Sequence, residues 1–249
     1  MIGGFPAGPL TIYCWRLDLR CSDATLALLA SALSLDERQR AARFISPRDR
    51  RRFVATRASL RVLLGHYCGE RPRAIRLAYS EYGKPYLASG STVPRVGFNV
   101  SHAADVALIA LTADSALGVD VEEVRPIADL LAIASRFFTS AEVETITTVS
   151  SEERDLAFFL CWTRKEAFSK ALGDGLTFEL DRYRVACRPG AEARILEIDG
   201  STAAAAEWSL YDLRPAPGYV GAVAMHGMPR TLDFQTLDID TDIVPKLCE

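Results

Sequence analysis

Histidine is scarce, with only His66, His102 and His226 in 249 residues, and the six cysteines (Cys14, Cys21, Cys68, Cys161, Cys187, Cys248) show no CxxC spacing. Neither a zinc site nor a redox pair is indicated, and the thiols read as reduced and mostly buried. No uncharged run approaches the roughly 18 residues of a membrane helix. The opening MIGGFPAGPLTIYCW has no basic stretch before its apolar residues, so a secretory leader is not expected either. The expectation is a cytoplasmic chain without membrane contact. Also missing are a GxSxG elbow and a GxxxxGK[ST] loop, which removes two common hydrolase and nucleotide signatures. The GDG at residues 173–175 lacks a third glycine and follows a helical stretch, which excludes a dinucleotide fingerprint.

What is present is an ordinary globular composition, 49% hydrophobic and 24% charged, enough for one large core or two modest ones. The net charge of −3 is unevenly spread. Residues 36–76 hold twelve arginines against four acids, while residues 232–249 hold five acids and one lysine. Such a basic segment can be a solvated face, a nucleic-acid patch or an anion site. Low overall charge and few aromatics for base stacking argue against nucleic acid. A small, highly phosphorylated ligand fits better than a polymer.

The chain reads as helices early in each half with strands after them, an α+β fold. Ser34 with Glu37 forms a capping box, and Ser46, Pro47 and Asp49 open the helix that carries RRRFVATRASLRVLLGHY. Strands follow at AIRLAY, VGFNVS and VALIALT. The order then repeats: a strand at GVDVEEV, helix starts at Thr139 with Glu142 and at Ser150 with Glu153, then strands at RYRVACR, ARILEID, EWSLYDL and YVGAVAM. The repetition is of architecture and not of sequence. Three segments result: an N-terminal half, 1–117, a C-terminal half, 118–226, and a tail, 227–249, that either straps across the fold or stays partly disordered.

Chemistry concentrates in the second half. Along GVDVEEV, alternation puts Val119 and Val121 on one face and Asp120 and Glu122 on the other. The helix EERDLAFFLCWTRKEAFSKALGDG places Trp162, Glu166 and Lys170 on one stripe, with Gly173 as its C-cap. Read separately, these are a solvent-facing edge strand and an ordinary Glu–Lys helix pair. Read together, Asp120, Glu122 and Glu166 offer three hard oxygen ligands, a set suited to magnesium.

At this point GVDVE (118–122) and WTRKEAFSK (162–170), preceded by EYGKPYL (81–87) and FNVSH (98–102), resemble the ordered signature motifs of the Sfp-type 4′-phosphopantetheinyl transferases. The likeness spans roughly residues 34–225. It implies two similar α+β halves in a pseudo-two-fold arrangement, a monomer with coenzyme A and Mg²⁺ in the cleft between them. The implied reaction moves the phosphopantetheine arm of coenzyme A onto a serine of an apo acyl or peptidyl carrier protein and releases 3′,5′-adenosine bisphosphate. By the same likeness Asp120, Glu122 and Glu166 match the metal ligands, and Lys170 matches a lysine at the phosphates. Glu166 is in addition placed to accept the serine proton, so ligand, base, or both remain open for it. Ser101 and His102 match the phosphate-contacting pair, Lys84 between Gly83 and Pro85 a phosphate-binding lysine, and Arg40 and Arg52 the basic positions at the 3′-phosphate. Two departures stand out: Arg40 replaces a lysine, and Glu37 falls at another basic position. Arg43, Arg48 and Arg51 are substitutes there, each expected to be solvated. Two other functions remain as alternatives, a non-catalytic module binding coenzyme A or a carrier, and a metal-dependent nucleotide phosphohydrolase. Intact Glu166 and Lys170 argue against the first.

Overall fold

The computed structural model describes residues 11–88, 96–113, 115–173 and 179–247. Cys248 and positions 174–175 of the GDG therefore lie outside the described residues. The first half runs β1 (Thr11–Asp18), α1 (Asp23–Ser31), α2 (Leu35–Ala42), α3 (Pro47–Cys68), a hairpin of β2 (Leu77–Tyr79) and β3 (Pro85–Leu87), then β4 (Val96–Ala103) and β5 (Val106–Ala113). The second half repeats this plan with β6 (Leu117–Glu123), α4 (Leu130–Phe137), α5 (Ser140–Thr148), α6 (Arg154–Leu172), a hairpin of β7 (Tyr183–Val185) and β8 (Ile195–Ile198), α7 (Thr202–Ala206), β9 (Trp208–Leu213) and β10 (Tyr219–His226). In each half the first strand pairs antiparallel with the last, and the last pairs antiparallel with the one before it, giving β1-β5-β4 and β6-β10-β9. The fold is thus α+β and internally duplicated in topology, as the repeated order of elements indicates.

Local chemistry explains the helix ends. Ser46 Oγ accepts the Asp49 amide at 3.3 Å and Pro47 takes the first helical position of α3, which stops at Gly69 with φ +67°. Before α6, Ser150 donates to Glu153 at 3.3 Å and a tight turn over Ser151–Glu153 leads into the helix, which ends at Gly173 with φ +86°.

Three apolar clusters follow from strand alternation. Tyr13, Trp15 and Leu17 of β1 face α3 in the first, whereas Ile12 and Cys14 face the other sheet. A second cluster holds α6 aromatics against β7 and β10. Between the sheets, Leu108 and Ala110 meet Leu117, Val119, Val121 and Val223 in the third. The two halves therefore share an apolar interface, and Gly118, Asp120 and Glu122 turn toward α6.

Two features differ from the sequence reading. A strand, β1, precedes the first helix; buried on both faces, TIYCW shows no alternation to read. The tail is a strap: β11 (Thr231–Leu237) pairs in parallel with β1, and the irregular turns after it bury Ile239, Ile243 and Leu247 in the first core. Thr25 donates to Asp240 at 2.6 Å to fasten it. No described helix is long and apolar enough to cross a membrane.

Candidate functional site

Strand β6 and helix α6 bring the acidic residues together. Gly118 permits it, because a Cβ there would lie 2.0 Å from the Ala167 carbonyl oxygen and 2.4 Å from the Ala171 nitrogen. With the helix this close, Glu166 and Lys170 stand over Asp120 and Glu122. Asp120 is only 4% exposed, which excludes a solvent-facing edge strand. Its Oδ1 accepts from Ser101 Oγ at 2.8 Å and from Lys170 Nζ at 2.5 Å, and Lys170 also reaches Ser101 Oγ at 3.1 Å.

The second oxygen, Asp120 Oδ2, is buried without a hydrogen-bond partner. A buried carboxylate oxygen in that state is costly unless a cation or donor supplies the missing contact. Glu122 reports the same deficit, since burial, then Asp120 and Glu166, push its carboxyl up to about 7 against the pull of Arg125 and Lys170. Glu166 is raised as well, by burial first and by Asp120, with Lys170 opposing. Excess negative charge facing one space suits a hard cation. Among the described residues, however, no three His, Cys, Asp or Glu side chains are gathered tightly enough to cage a metal by themselves. The Lys170 ammonium stands in for a cation at Asp120.

The polar line continues into the first half. His102, at the end of β4, is held below the usual imidazole range by desolvation and then by the cations of Arg52 and Lys170, while Asp49 opposes. Arg52 Nε bonds Asp105 Oδ1 at 3.0 Å. Arg48 shares the same carboxylate at 3.0 Å, and Arg51 is spent on Asp23 and the Cys21 carbonyl. Of the arginines named as substitutes at the 3′-phosphate, Arg48 and Arg51 thus already have carboxylate partners.

Arg40 lies elsewhere on this wall, stacked 5.5 Å from Phe53 and 5.9 Å from Tyr79. Arg57, which the motifs did not single out, faces the same two rings. Its Nη1 is buried without a hydrogen bond, 3.7 Å from Glu37 Oε1, and burial lowers its pKa. The acid at position 37 also has its explanation. Glu37 is 1% exposed, accepts the Ser34 amide at 2.9 Å and pairs with Arg61 at 2.6 Å. It is a structural hub of the first half, and so not available to a ligand.

Gly83 takes φ +80° in the tight turn between Tyr79 and Pro85, where the Gly83 amide bonds the Ser80 carbonyl at 2.9 Å. This turn aims Lys84 inward. Its Nζ donates to the Lys170 carbonyl at 2.5 Å and the Leu117 carbonyl at 3.1 Å, tying α6 to β6. Burial brings Lys84 down to about 8. In this structure the ammonium is thus engaged by backbone.

The site residues therefore form two groups. Ser101, Asp120, Glu122, Glu166 and Lys170 converge, with His102 and Arg52 adjoining them; Arg40 and Arg57 form a second cationic spot against Tyr79, the strand partner of Pro85. Arg57 is the residue that motif reading passed over, and burial across an arginine-rich helix would have marked it. Asn99 belongs to FNVSH and shares the strand face of Ser101, but the motif gives it no role of its own.

A model of the 4′-phosphopantetheinyl transferase superfamily matches residues 116–224, and a model described as the N-terminal part of 4′-phosphopantetheinyl transferase matches residues 19–114. The chain is 38% identical over 216 residues to the 4′-phosphopantetheinyl transferase HetI of a Nostoc species, covering 87% of this chain and 88% of that one. It is 32% identical over 176 residues to the human L-aminoadipate-semialdehyde dehydrogenase-phosphopantetheinyl transferase, covering 68% of this chain and 57% of the other. A Bacillus subtilis 4′-phosphopantetheinyl transferase is 27% identical over 191 residues, covering 77% and 83%.

Proposed function

The chain belongs to the 4′-phosphopantetheinyl transferase superfamily, and from that premise we propose that it transfers the phosphopantetheine arm of coenzyme A to a serine of an apo acyl or peptidyl carrier protein, leaving 3′,5′-adenosine bisphosphate. The observation that carries this reading is Asp120, which shares one oxygen between Ser101 and Lys170 and keeps the other buried and unpartnered beside Glu122 and Glu166.

In this proposal Asp120, Glu122 and Glu166 hold Mg²⁺. The ion supplies positive charge across the diphosphate of coenzyme A when bound. Glu166, whose burial favours taking up a proton, accepts the one leaving the carrier serine; such a base contributes about 10² to 10⁴ in rate. Lys170 balances charge on the departing phosphate. Ser101, His102 and Lys84 of the Gly83–Lys84–Pro85 turn meet the phosphates, Arg40 and Arg52 take the 3′-phosphate, and Arg57 adds a second cation beside Arg40. Labour is divided accordingly, with residues 1–117 binding coenzyme A, residues 118–226 carrying metal and proton chemistry, and the tail, 227–249, strapping the first sheet through β11. The enzyme works as a monomer in the cytoplasm, without nucleic acid.

Intact-mass analysis after incubation with coenzyme A, Mg²⁺ and a panel of apo carrier proteins tests this. One phosphopantetheine added to one carrier serine is the expected result. Unmodified carriers throughout, with coenzyme A either bound or hydrolysed, would overturn it in favour of a binding module or a phosphohydrolase.

A further inference from the structure

Strand β6 is the edge of its sheet. β10 hydrogen-bonds one side of it, and the other side faces the first half with its backbone groups exposed to whatever that half provides. Edge amides that are buried need an acceptor. Val119 is fully buried, so its amide has no access to water.

Among the described residues no strand supplies that acceptor; a side chain does. Asn99 on β4, itself 6% exposed, accepts the Val119 amide through Oδ1 at 2.9 Å. Two residues farther along the same face, Ser101 donates to the Asp120 carboxylate. Lys84 reaches the Leu117 carbonyl at the start of β6. Side chains of the first half thus take the backbone groups of Leu117 and Val119 that a neighbouring strand would otherwise pair, and Ser101 holds the Asp120 side chain beside them.

We propose that Asn99 is a positioning residue for the transfer reaction, fixing the depth and register of β6 so that Asp120 meets Ser101 and Lys170 with its second oxygen turned toward the cation space. The inference rests on the proposed function above for its kinetic part and on the geometry alone for its structural part. Asn99 is none of the proposed reacting groups, and its carboxamide oxygen is taken by the Val119 amide. It is also a cleaner target than Lys84, whose ammonium is itself a candidate phosphate contact. Ligand-orienting partners of this kind typically change metal affinity or activity by roughly 10- to 100-fold when removed.

Two readouts test it. Asn99→Leu keeps the branched shape and deletes the acceptor, while Asn99→Asp keeps an acceptor. In Asn99→Leu, hydrogen exchange at the Val119 amide should accelerate roughly tenfold or more relative to wild type, while the β10 amides stay protected. The Mg²⁺ concentration for half-maximal transfer should rise roughly 10- to 100-fold. Asn99→Asp should restore protection at Val119 and most of the Mg²⁺ response, a rescue that a purely structural loss would not show. If Asn99→Leu does not fold, Asn99→Ser, whose hydroxyl is too short to reach Val119, is read in the same way. Protection of Val119 retained without the acceptor would overturn the proposal, as would an unchanged Mg²⁺ midpoint despite its loss. A wild-type protein that modifies no carrier would overturn the function instead, and Val119 exchange would still decide the clamp.

Discussion

The two halves of the chain solve one folding problem with the same parts. In the first, the Ser34 capping box leaves Glu37 buried, and it pairs with Arg61 of α3, whose Nη1 also donates to the Pro72 and Ile75 carbonyls at 2.9 Å each. In the second, the Thr139 capping box leaves Glu142 buried at 1% exposure, paired with Lys165 of α6 at 2.8 Å, and Lys165 donates to the Leu180 and Tyr183 carbonyls. Each cation lies eight residues before the left-handed glycine that ends its helix, Gly69 or Gly173. Counting from these anchors, Glu166 falls on Val62 and Lys170 on His66. Strand register likewise puts Asp120 on Trp15 and Glu122 on Leu17, since Trp15 faces Ile109 in β5 as Asp120 faces Ala222 in β10. The frame is shared and the chemistry is not. Where one half packs Trp15, Leu17 and Val62 into its core, the other gathers carboxylates.

Removing one such carboxylate should have the largest effect. Glu166→Gln keeps shape and deletes both base and ligand, so the transfer rate should fall about 10² to 10⁴-fold, as single-turnover mass spectrometry would show. Thermal stability should not fall, because burial already disfavours the charged form. Val62→Ala, its counterpart, should do the opposite: lower the melting temperature and leave the rate per folded molecule intact. A Val62 variant that slowed transfer as much would erase the contrast between halves.

Breaking the shared frame should cost nearly as much, but in stability. Lys165→Met leaves Glu142 charged and unpaired in the core, a change worth about 3–5 kcal/mol. Arg61→Met should cost less, because Arg57 stands 3.7 Å from Glu37 and can take up part of the lost attraction. Urea melts of the two variants measure this directly. Equal costs would mean that Arg57 gives Glu37 no support.

How much of this was readable in the chain depends on the range of the interaction. Asp120 with Glu122, and Glu166 with Lys170, were legible because periods of two and four residues are local rules. Both capping boxes were legible for the same reason. That Glu37 and Glu142 go on to meet cations more than twenty residues later is a tertiary fact, and no spacing announces it. For β1 the trouble was burial on both faces, which removes alternation. β11 could not be anticipated because its partner, β1, lies at the other end of the chain. Lys84 shows the limit too, since the motif marks the residue but no spacing announces the bonds of its ammonium to the Lys170 and Leu117 carbonyls.

An intermediate effect is expected where the halves differ in helix approach. The residue before the acid on the α6-facing side of β6 is Gly118; the matching position in β1 is Tyr13, stacked with Trp15 at 6.0 Å. Gly118→Ala would drive a methyl group into the backbone of α6 at Ala167 and Ala171. Overpacking of this kind costs about 1–3 kcal/mol, and it would also move Glu166 and Lys170 away from Asp120. Denaturant melts paired with Mg²⁺ titration should show both losses together. Loss of stability with an unshifted Mg²⁺ midpoint would show that helix approach does not set the carboxylate geometry.

The smallest predicted effect is a linkage between proton and cation that only the second half should show. Glu122 takes up its proton at about 7 in the fold, against an ordinary value of 4.5. Between those values the folded state binds more protons than the unfolded one, so this group makes stability fall as pH rises through the window. A divalent cation needs the carboxylate ionised and is therefore excluded by the same proton. Added Mg²⁺ should raise the melting temperature more at pH 8 than at pH 5.5, by a few degrees, given about 2–4 °C per kcal/mol for a chain of this size. In Glu122→Gln the pH dependence of that increment should flatten, whereas Leu17→Met, its counterpart in the first half, should leave it intact. A Mg²⁺ increment that is equal at both pH values in the wild-type protein would mean that Glu122 does not lie in the cation's reach, and the acidic cluster would shrink to Asp120 and Glu166.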